Sequence, residues 1–168
     1  MAMGGTVSSG NEGIPSLEQI AKLYPSPEAL AGFLQHEFSF KDDLSLFHQA
    51  DYWQDPDEFL TRRQGDCEDY ALLAEAVLAQ LGKRAFVFSV YGAAYAHTVC
   101  VFIEDGAYRV INQDRLMPWK AHTLKEIASR LCPDWDWAAV AKRIGHRGYA
   151  TYFLENERER TFTLSTAS

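Results

Sequence analysis

Cys67 sits in Gly65-Asp66-Cys67-Glu68-Asp69-Tyr70, where a turn feeds a long helical pattern. A thiol attacks only as its thiolate, and a free cysteine has a pKa of about 8.5. The first turn of a helix offers unpaired N–H groups and a partial positive charge. Both favour the thiolate, and the same N–H groups can bind an oxyanion formed in acyl transfer. Gly65 lets the chain turn sharply, and Asp66 can cap the helix. Asp66, Glu68 and Asp69 act in the opposite sense. Negative charges beside a group that must itself become negative raise its pKa. The helix end offsets this by only about 0.3–1 kcal/mol. A nearby imidazolium would offset far more, so the chemistry asks for a histidine.

The histidines are His36, His48, His97, His122 and His146. His97 begins the β-like run His97-Thr98-Val99-Cys100-Val101-Phe102-Ile103, sharing a face with Val99 and Val101. A histidine at the mouth of a sheet is well placed to meet a helix end packed on that sheet. The run Tyr108–Asn112 returns beside it after the turn chemistry of Glu104-Asp105-Gly106. A turn centred between Glu104 and Asp105 sets Asn112 opposite His97. One centred between Asp105 and Gly106 sets Asp114 there. Either can orient the imidazole as the third member of a triad. Trp53 and Gln64, upstream of the thiol, are candidates for the cleft wall or an oxyanion donor. The other four histidines read as surface or packing residues. Cys100 alternates away from His97 into the core, and Cys132, before Pro133, reads as structural.

The elements that must position these groups follow from periodicity. Leu17, Ile20, Ala21 and Tyr24 predict a helix from Ser16, stopped by Pro25. Pro27 opens a second, carrying Leu30, Phe33 and Leu34. Residues 39–56 hold a short helix and a loop, and 56–63 a further short helix. Residues 67–81 form the clearest helix, closed by Gly82. Residues 84–91 read as a strand, and 96–103 with 107–112 as a hairpin. Residues 123–131 and 135–145 read as helices, and 148–153 as a strand. The charged run Glu155–Arg160 reads as a solvated face. Helices, then an antiparallel sheet, then helices make an α+β fold.

The stretch GDCEDYALLAEAVLAQLG resembles the nucleophile segment of bacterial transglutaminase-like enzymes. Upstream, Trp53, Pro56, Glu58, Phe59, Leu60 and Gly65 resemble the lead-in of the bacterial transglutaminase-like cysteine proteinases. Downstream, Gly106 to Asp114 resembles the stretch that ends in that family's third triad residue. The resemblance spans roughly residues 52–115. It implies a papain-like, transglutaminase-like core in which the nucleophile-bearing helix packs on a small antiparallel sheet. It implies a Cys67–His97–Asn112 or Cys67–His97–Asp114 triad. Asn112 stands where the family has aspartate, and His97-Thr98-Val99 replaces His-Ala-Trp, which weakens the case for protein crosslinking. Some members bind calcium through acids flanking the nucleophile; Asp66 and Glu68 match that pattern, though one pair cannot fill a site of about 6–8 oxygens.

Composition narrows the partners. Sixteen basic and 23 acidic residues give a net charge of −7, with no basic run suited to nucleic acid. No apolar stretch reaches the roughly 18 residues of a membrane span. Three sparse cysteines suit a reducing compartment, so a cytoplasmic location is expected. No cofactor is called for. Residues 1–13 read as a flexible tail without signal-peptide character, and 14–168 as a single domain. The expected activity is a cysteine peptidase or amidase acting on a protein or peptide amide. The alternatives are a protein transglutaminase, a different Cys-His-Asp acyl transferase, and an inactive binding module on the same fold.

Overall fold

Helix starts in this chain are set by side-chain caps. Ser16 Oγ accepts from the Gln19 N–H at 3.2 Å while Gln19 Oε1 accepts from the Ser16 N–H at 2.8 Å, opening α1 (Leu17–Leu23). Ser26 caps α2 (Pro27–Glu37), whose first residue is the proline that tolerates that position. The structure, a computed structural model, describes residues 13–156. The expected N-terminal tail therefore lies almost wholly outside the described residues, as does most of the run 155–160.

The remaining elements in order are β1 (Ser39–Phe40), α3 (Asp43–Phe47), α4 (Pro56–Arg62), β2 (Gln64–Gly65), α5 (Cys67–Gln80), β3 (Ala85–Gly92), β4 (Tyr95–Glu104), β5 (Ala107–Asn112), β6 (Arg115–Leu116), α6 (Leu124–Leu131), β7 (Trp135–Ile144) and β8 (Arg147–Glu155). β1 and β2 pair in parallel. The other six strands form one antiparallel sheet in the order β6-β5-β4-β3-β7-β8.

α5 is the central element. Tyr70, Ala71, Leu72, Leu73, Ala74, Val77 and Leu78 are all buried, more than one stripe of the helix. A helix apolar around most of its girth is enclosed on several sides. Its core cluster joins α1, α2 and α4 to Val87, Cys100, Phe102 and Ile111 of the sheet. The opposite sheet face, with Phe88, Val90, Val99, Val101 and Val110, packs with Ile127 and Ala128 of α6. The helix, and with it the position of Cys67, depends on this packing. Truncating fully buried Leu73 to alanine should cost about 2–5 kcal/mol.

One expectation is corrected. Residues 135–145 were expected to be helical, yet Trp135–Ile144 is strand β7. Ala138, Ala139 and Val140 have both faces of the sheet to pack into, so the segment shows no polar–apolar alternation. An alanine-rich apolar run is then ambiguous by periodicity, and the pairing edges of β3 and β8 decide it. The strand expected at 148–153 is present within β8.

Candidate active site

Cys67 is the first residue of α5, and the chain reaches it through a tight approach. A Cβ on Gly65 would lie 2.1 Å from Asp69 Oδ2 and 2.7 Å from Gln54 Nε2. Gly65 is thus demanded by packing. The group it lies against is a buried network in which the Gln54 backbone N–H donates to Asp69 Oδ1 (2.9 Å). Gln54 Nε2 donates to Asp69 Oδ2 (2.6 Å) and to the Gln64 carbonyl (3.0 Å). Asp69 Oδ2 also accepts from the Asp66 N–H at 3.2 Å, tying off one orphan donor at the helix start. This network anchors the 51–54 loop to the helix that carries the thiol.

The thiol lies in a pocket of about 240 Å³ lined by Asp51, Trp53, Asp66, Glu68, Tyr91 and Thr98, with Ala50 and Ala96 at its edge. Cys67 Sγ donates to Glu68 Oε2 at 3.3 Å. Burial, then the charges of Glu68 and Asp66, push the thiol far above its usual range; the Thr98 backbone N–H pulls the other way and does not win. The negative neighbours foreseen in the sequence therefore dominate the helix end in this arrangement.

Those neighbours are part of a larger acidic cluster. Ligand atoms of Asp43, Asp66 and Asp69 lie within 4.8 Å of one another, as do those of Asp43, Asp51 and Glu68, and those of Asp66, Cys67 and Glu68. Burial raises each of the inner acids. Glu68 is pushed up to about 10, by burial and then by the hydrogen bond and charge of Asp66. Asp69 rises to about 7 by burial, against the hydrogen bonds from Gln54. Asp43 rises to about 6 by burial, with the charges of Asp66 and Asp51 adding. Asp66 is raised by burial and by Asp51. Asp43 is 3% exposed, yet its Oδ1 and Asp66 Oδ1 are buried without a hydrogen-bond partner. Leaving such atoms unpaired is costly. A hard cation with oxygen ligands fits this donor set.

The histidine side is better satisfied. His97 Nε2 lies 2.7 Å from Asn112 Oδ1. An amide oxygen only accepts, so Nε2 carries the proton and Nδ1 is the basic nitrogen of the neutral ring. Val101 pairs with Val110 and Glu104 with Ala107, so the hairpin turn is centred between Asp105 and Gly106. By that register Asp114 falls opposite His97. The ladder ends first: Gln113 takes a left-handed conformation (φ 52°), and Asn112 pairs with Arg115 as the chain turns into β6. Asn112, the diagonal neighbour, makes the contact. Asp114 lies 3.8 Å from Arg115 and lines a separate pocket with Phe38, Phe40 and Tyr70.

The structure thus gathers Cys67, Asp66, Glu68 and Trp53 around one pocket and joins His97 to Asn112. Ala96 and Thr98, the chain neighbours of His97, line the thiol pocket, and His97 itself is not among its lining residues. Each half holds its own hydrogen bond, the thiol to Glu68 and the imidazole to Asn112. Trp53 is a wall; its Nε1 donates to Asp51 at 2.9 Å. Gln64 lies in β2, where its carbonyl serves Gln54. Asp43, Asp51 and Gln54 were missed in the sequence. They stand 13 to 24 residues before Cys67, and no spacing rule links them to it.

Comparison with known proteins gives the family and the fold. The profile of a family described as transglutaminase-like domain matches residues 25–131. No curated protein matches the chain. Among solved structures, calcium-bound LapG of Legionella pneumophila is similar at 21% identity, covering 79% of this chain and 77% of that one, with a TM-score of 0.51. The EGTA-treated form of LapG is similar at 20% identity, covering 81% and 76%, also at 0.51. At these identities the likeness is one of fold.

Proposed function

Because the chain belongs to the transglutaminase-like domain family, a thiol-enzyme family, we propose that it is a cysteine peptidase or amidase acting on a protein or peptide amide. Cys67 is the nucleophile, His97 the base and Asn112 the residue that orients the imidazole. The observation that carries this reading is the His97 Nε2–Asn112 bond of 2.7 Å. It makes Nδ1 the basic ring nitrogen, on a strand that runs past the thiol pocket. His97 Nδ1 takes the thiol proton, and the Cys67 sulfur attacks the substrate carbonyl carbon. The Cys67 backbone N–H and an upstream donor bind the oxyanion. The C–N bond breaks as the imidazolium gives its proton to the leaving amine, leaving a thioester. Water, deprotonated by His97, attacks the thioester carbon and releases the carboxylic acid and the thiolate. If an amine replaces water the product is a new amide and the enzyme is a transferase.

The thiol must stay free to react, and a reducing, cytoplasmic setting is part of this proposal.

The acidic cluster belongs to the same reading. One relative of the fold is described as calcium-bound, and the orphaned oxygens of Asp43 and Asp66 fit a cation. Asp43, Asp51, Asp66 and Glu68 would hold calcium. The ion would supply positive charge against the carboxylates that push the Cys67 thiol up. The same elevated thiol favours a second reading, a binding module that does no chemistry.

The deciding test is the pH dependence of Cys67 alkylation by iodoacetamide, in wild type and His97→Ala, with calcium and with chelator. A calcium-bound wild type that alkylates well below the ordinary thiol range, and a mutant that does not, is the expected outcome. Identical profiles in both proteins would leave the binding module standing.

A further inference from the structure

The hairpin joining β7 to β8 ends in Gly145-His146-Arg147, far along the chain from the thiol, yet it closes on the loop that walls the thiol pocket. The Trp53 backbone N–H donates to the His146 carbonyl at 3.2 Å. A Cβ on Gly148 would lie 2.2 Å from Trp53 Cζ2, so the hairpin backbone lies against the indole. The His146 ring stacks on Tyr52 with centroids 4.3 Å apart and planes 13° apart. Tyr52 stacks in turn on Phe47 at 4.1 Å, and the Arg62 guanidinium caps Phe47 at 4.7 Å.

The ring is held on both sides. His146 Nδ1 lies 3.2 Å from the Trp53 carbonyl oxygen, which only accepts, so Nδ1 carries a proton. His146 Nε2 and the Tyr52 hydroxyl lie 3.3 Å apart, and Glu58 Oε1 lies 3.3 Å from the same hydroxyl. Glu58 Oε2 lies 3.8 Å from Nδ1. Arg62 is itself engaged by Glu58 and by Gln54 Oε1, at 3.8 and 3.2 Å.

We propose that His146 is a positioning residue for the thiol pocket. It clasps the Tyr52–Trp53 loop to the β7–β8 hairpin and holds the Trp53 wall in place. The proposal rests on the reading of Cys67 as the reactive thiol.

The test is hydrogen exchange of residues 50–54 in the full chain at one pH, for wild type, His146→Phe and His146→Gln. His146→Phe keeps the stack but loses the hydrogen bond to the Trp53 carbonyl; it should stay folded by circular dichroism and exchange about three- to ten-fold faster there, the worth of one hydrogen bond. His146→Gln, whose amide can still donate to that carbonyl, should recover most of the protection. Cys67 alkylation by iodoacetamide should be faster in His146→Phe than in wild type and return toward wild type in His146→Gln. Equal protection in wild type and His146→Phe, or a loss that His146→Gln does not restore, would overturn the proposal. A Cys67 that never alkylates sinks the thiol reading, and the exchange data still decide whether the clasp exists.

Discussion

The two halves of the candidate site reach opposite states in the same fold. The strand-borne half is satisfied: His97 Nε2 and Asn112 Oδ1 meet at 2.7 Å. The helix-borne half is frustrated: the thiol is buried beside Glu68 and Asp66, and two carboxylate oxygens are buried without partners. Both halves use short polar side chains at the ends of regular elements. What separates them is charge. A neutral amide beside an imidazole needs nothing further, whereas five converging acids need protons or a cation. The lesson is that the thiol's acidity is governed by its burial and by the charges of its neighbours more than by the helix end it stands on.

The comparison breaks most sharply at the reacting groups. Cys67→Ala should abolish peptide hydrolysis. His97→Ala should lower kcat/KM by about 10²–10⁴, the usual worth of general acid–base catalysis. Asn112→Ala should cost less and Asn112→Asp little, because either side chain accepts from Nε2. Steady-state hydrolysis of a peptide library by the four variants checks the ranking.

Calcium sharpens the contrast from the other side. At about 100 times its Kd, a ligand of the folded state contributes about 2.7 kcal/mol. The thermal midpoint should then rise by about 5–10 °C for a chain of this size. Asp43→Asn should remove most of that rise while leaving the His97–Asn112 half untouched. Differential scanning fluorimetry with calcium and with chelator reads it.

The pH dependence of stability has a definite sign. Glu68, Asp69 and Asp43 have folded pKa values raised to about 10, 7 and 6. A raised carboxyl stabilises the fold below its unfolded value and loses that contribution as pH climbs through the folded value. Chelated protein should therefore melt progressively lower from pH 5 to pH 8, and saturating calcium should flatten the slope.

Two smaller effects complete the series. Gly148→Ala drives a methyl into the Trp53 indole and should cost about 1–3 kcal/mol, read by urea denaturation. Asp114→Ala should change stability by no more than about 0.5 kcal/mol and leave hydrolysis intact, because Asn112 and not Asp114 serves His97.

Much of this was legible before any coordinates. Cys67 opens α5, as local helix chemistry demands, whereas the stretch before it, expected as a turn, is extended, with Gly65 in β2. The 95–112 hairpin was readable from its turn residues, and its two registers were foreseen as alternatives. The choice between Asn112 and Asp114 was not readable, since it depended on Gln113 turning left-handed two residues past the point where counting stops. β7 was misread as helix because a strand apolar on both faces carries no alternation. His146, read as a surface or packing residue, turned out to touch Trp53, Tyr52 and Glu58, contacts that no window of sequence contains.

The sequence by itself determined the helix that Cys67 opens, the histidine strand and the α+β class, because caps and periodicity act within a few residues. Only the tertiary structure decided that Asp43 and Asp51 join Asp66 and Glu68, and that the last hairpin closes on the Trp53 loop. It also decided that the thiol's burden of negative charge is larger than its flanking residues suggest. Electrostatics and packing act through space, and the chain distances they span, from about a dozen to nearly a hundred residues, leave no periodic trace.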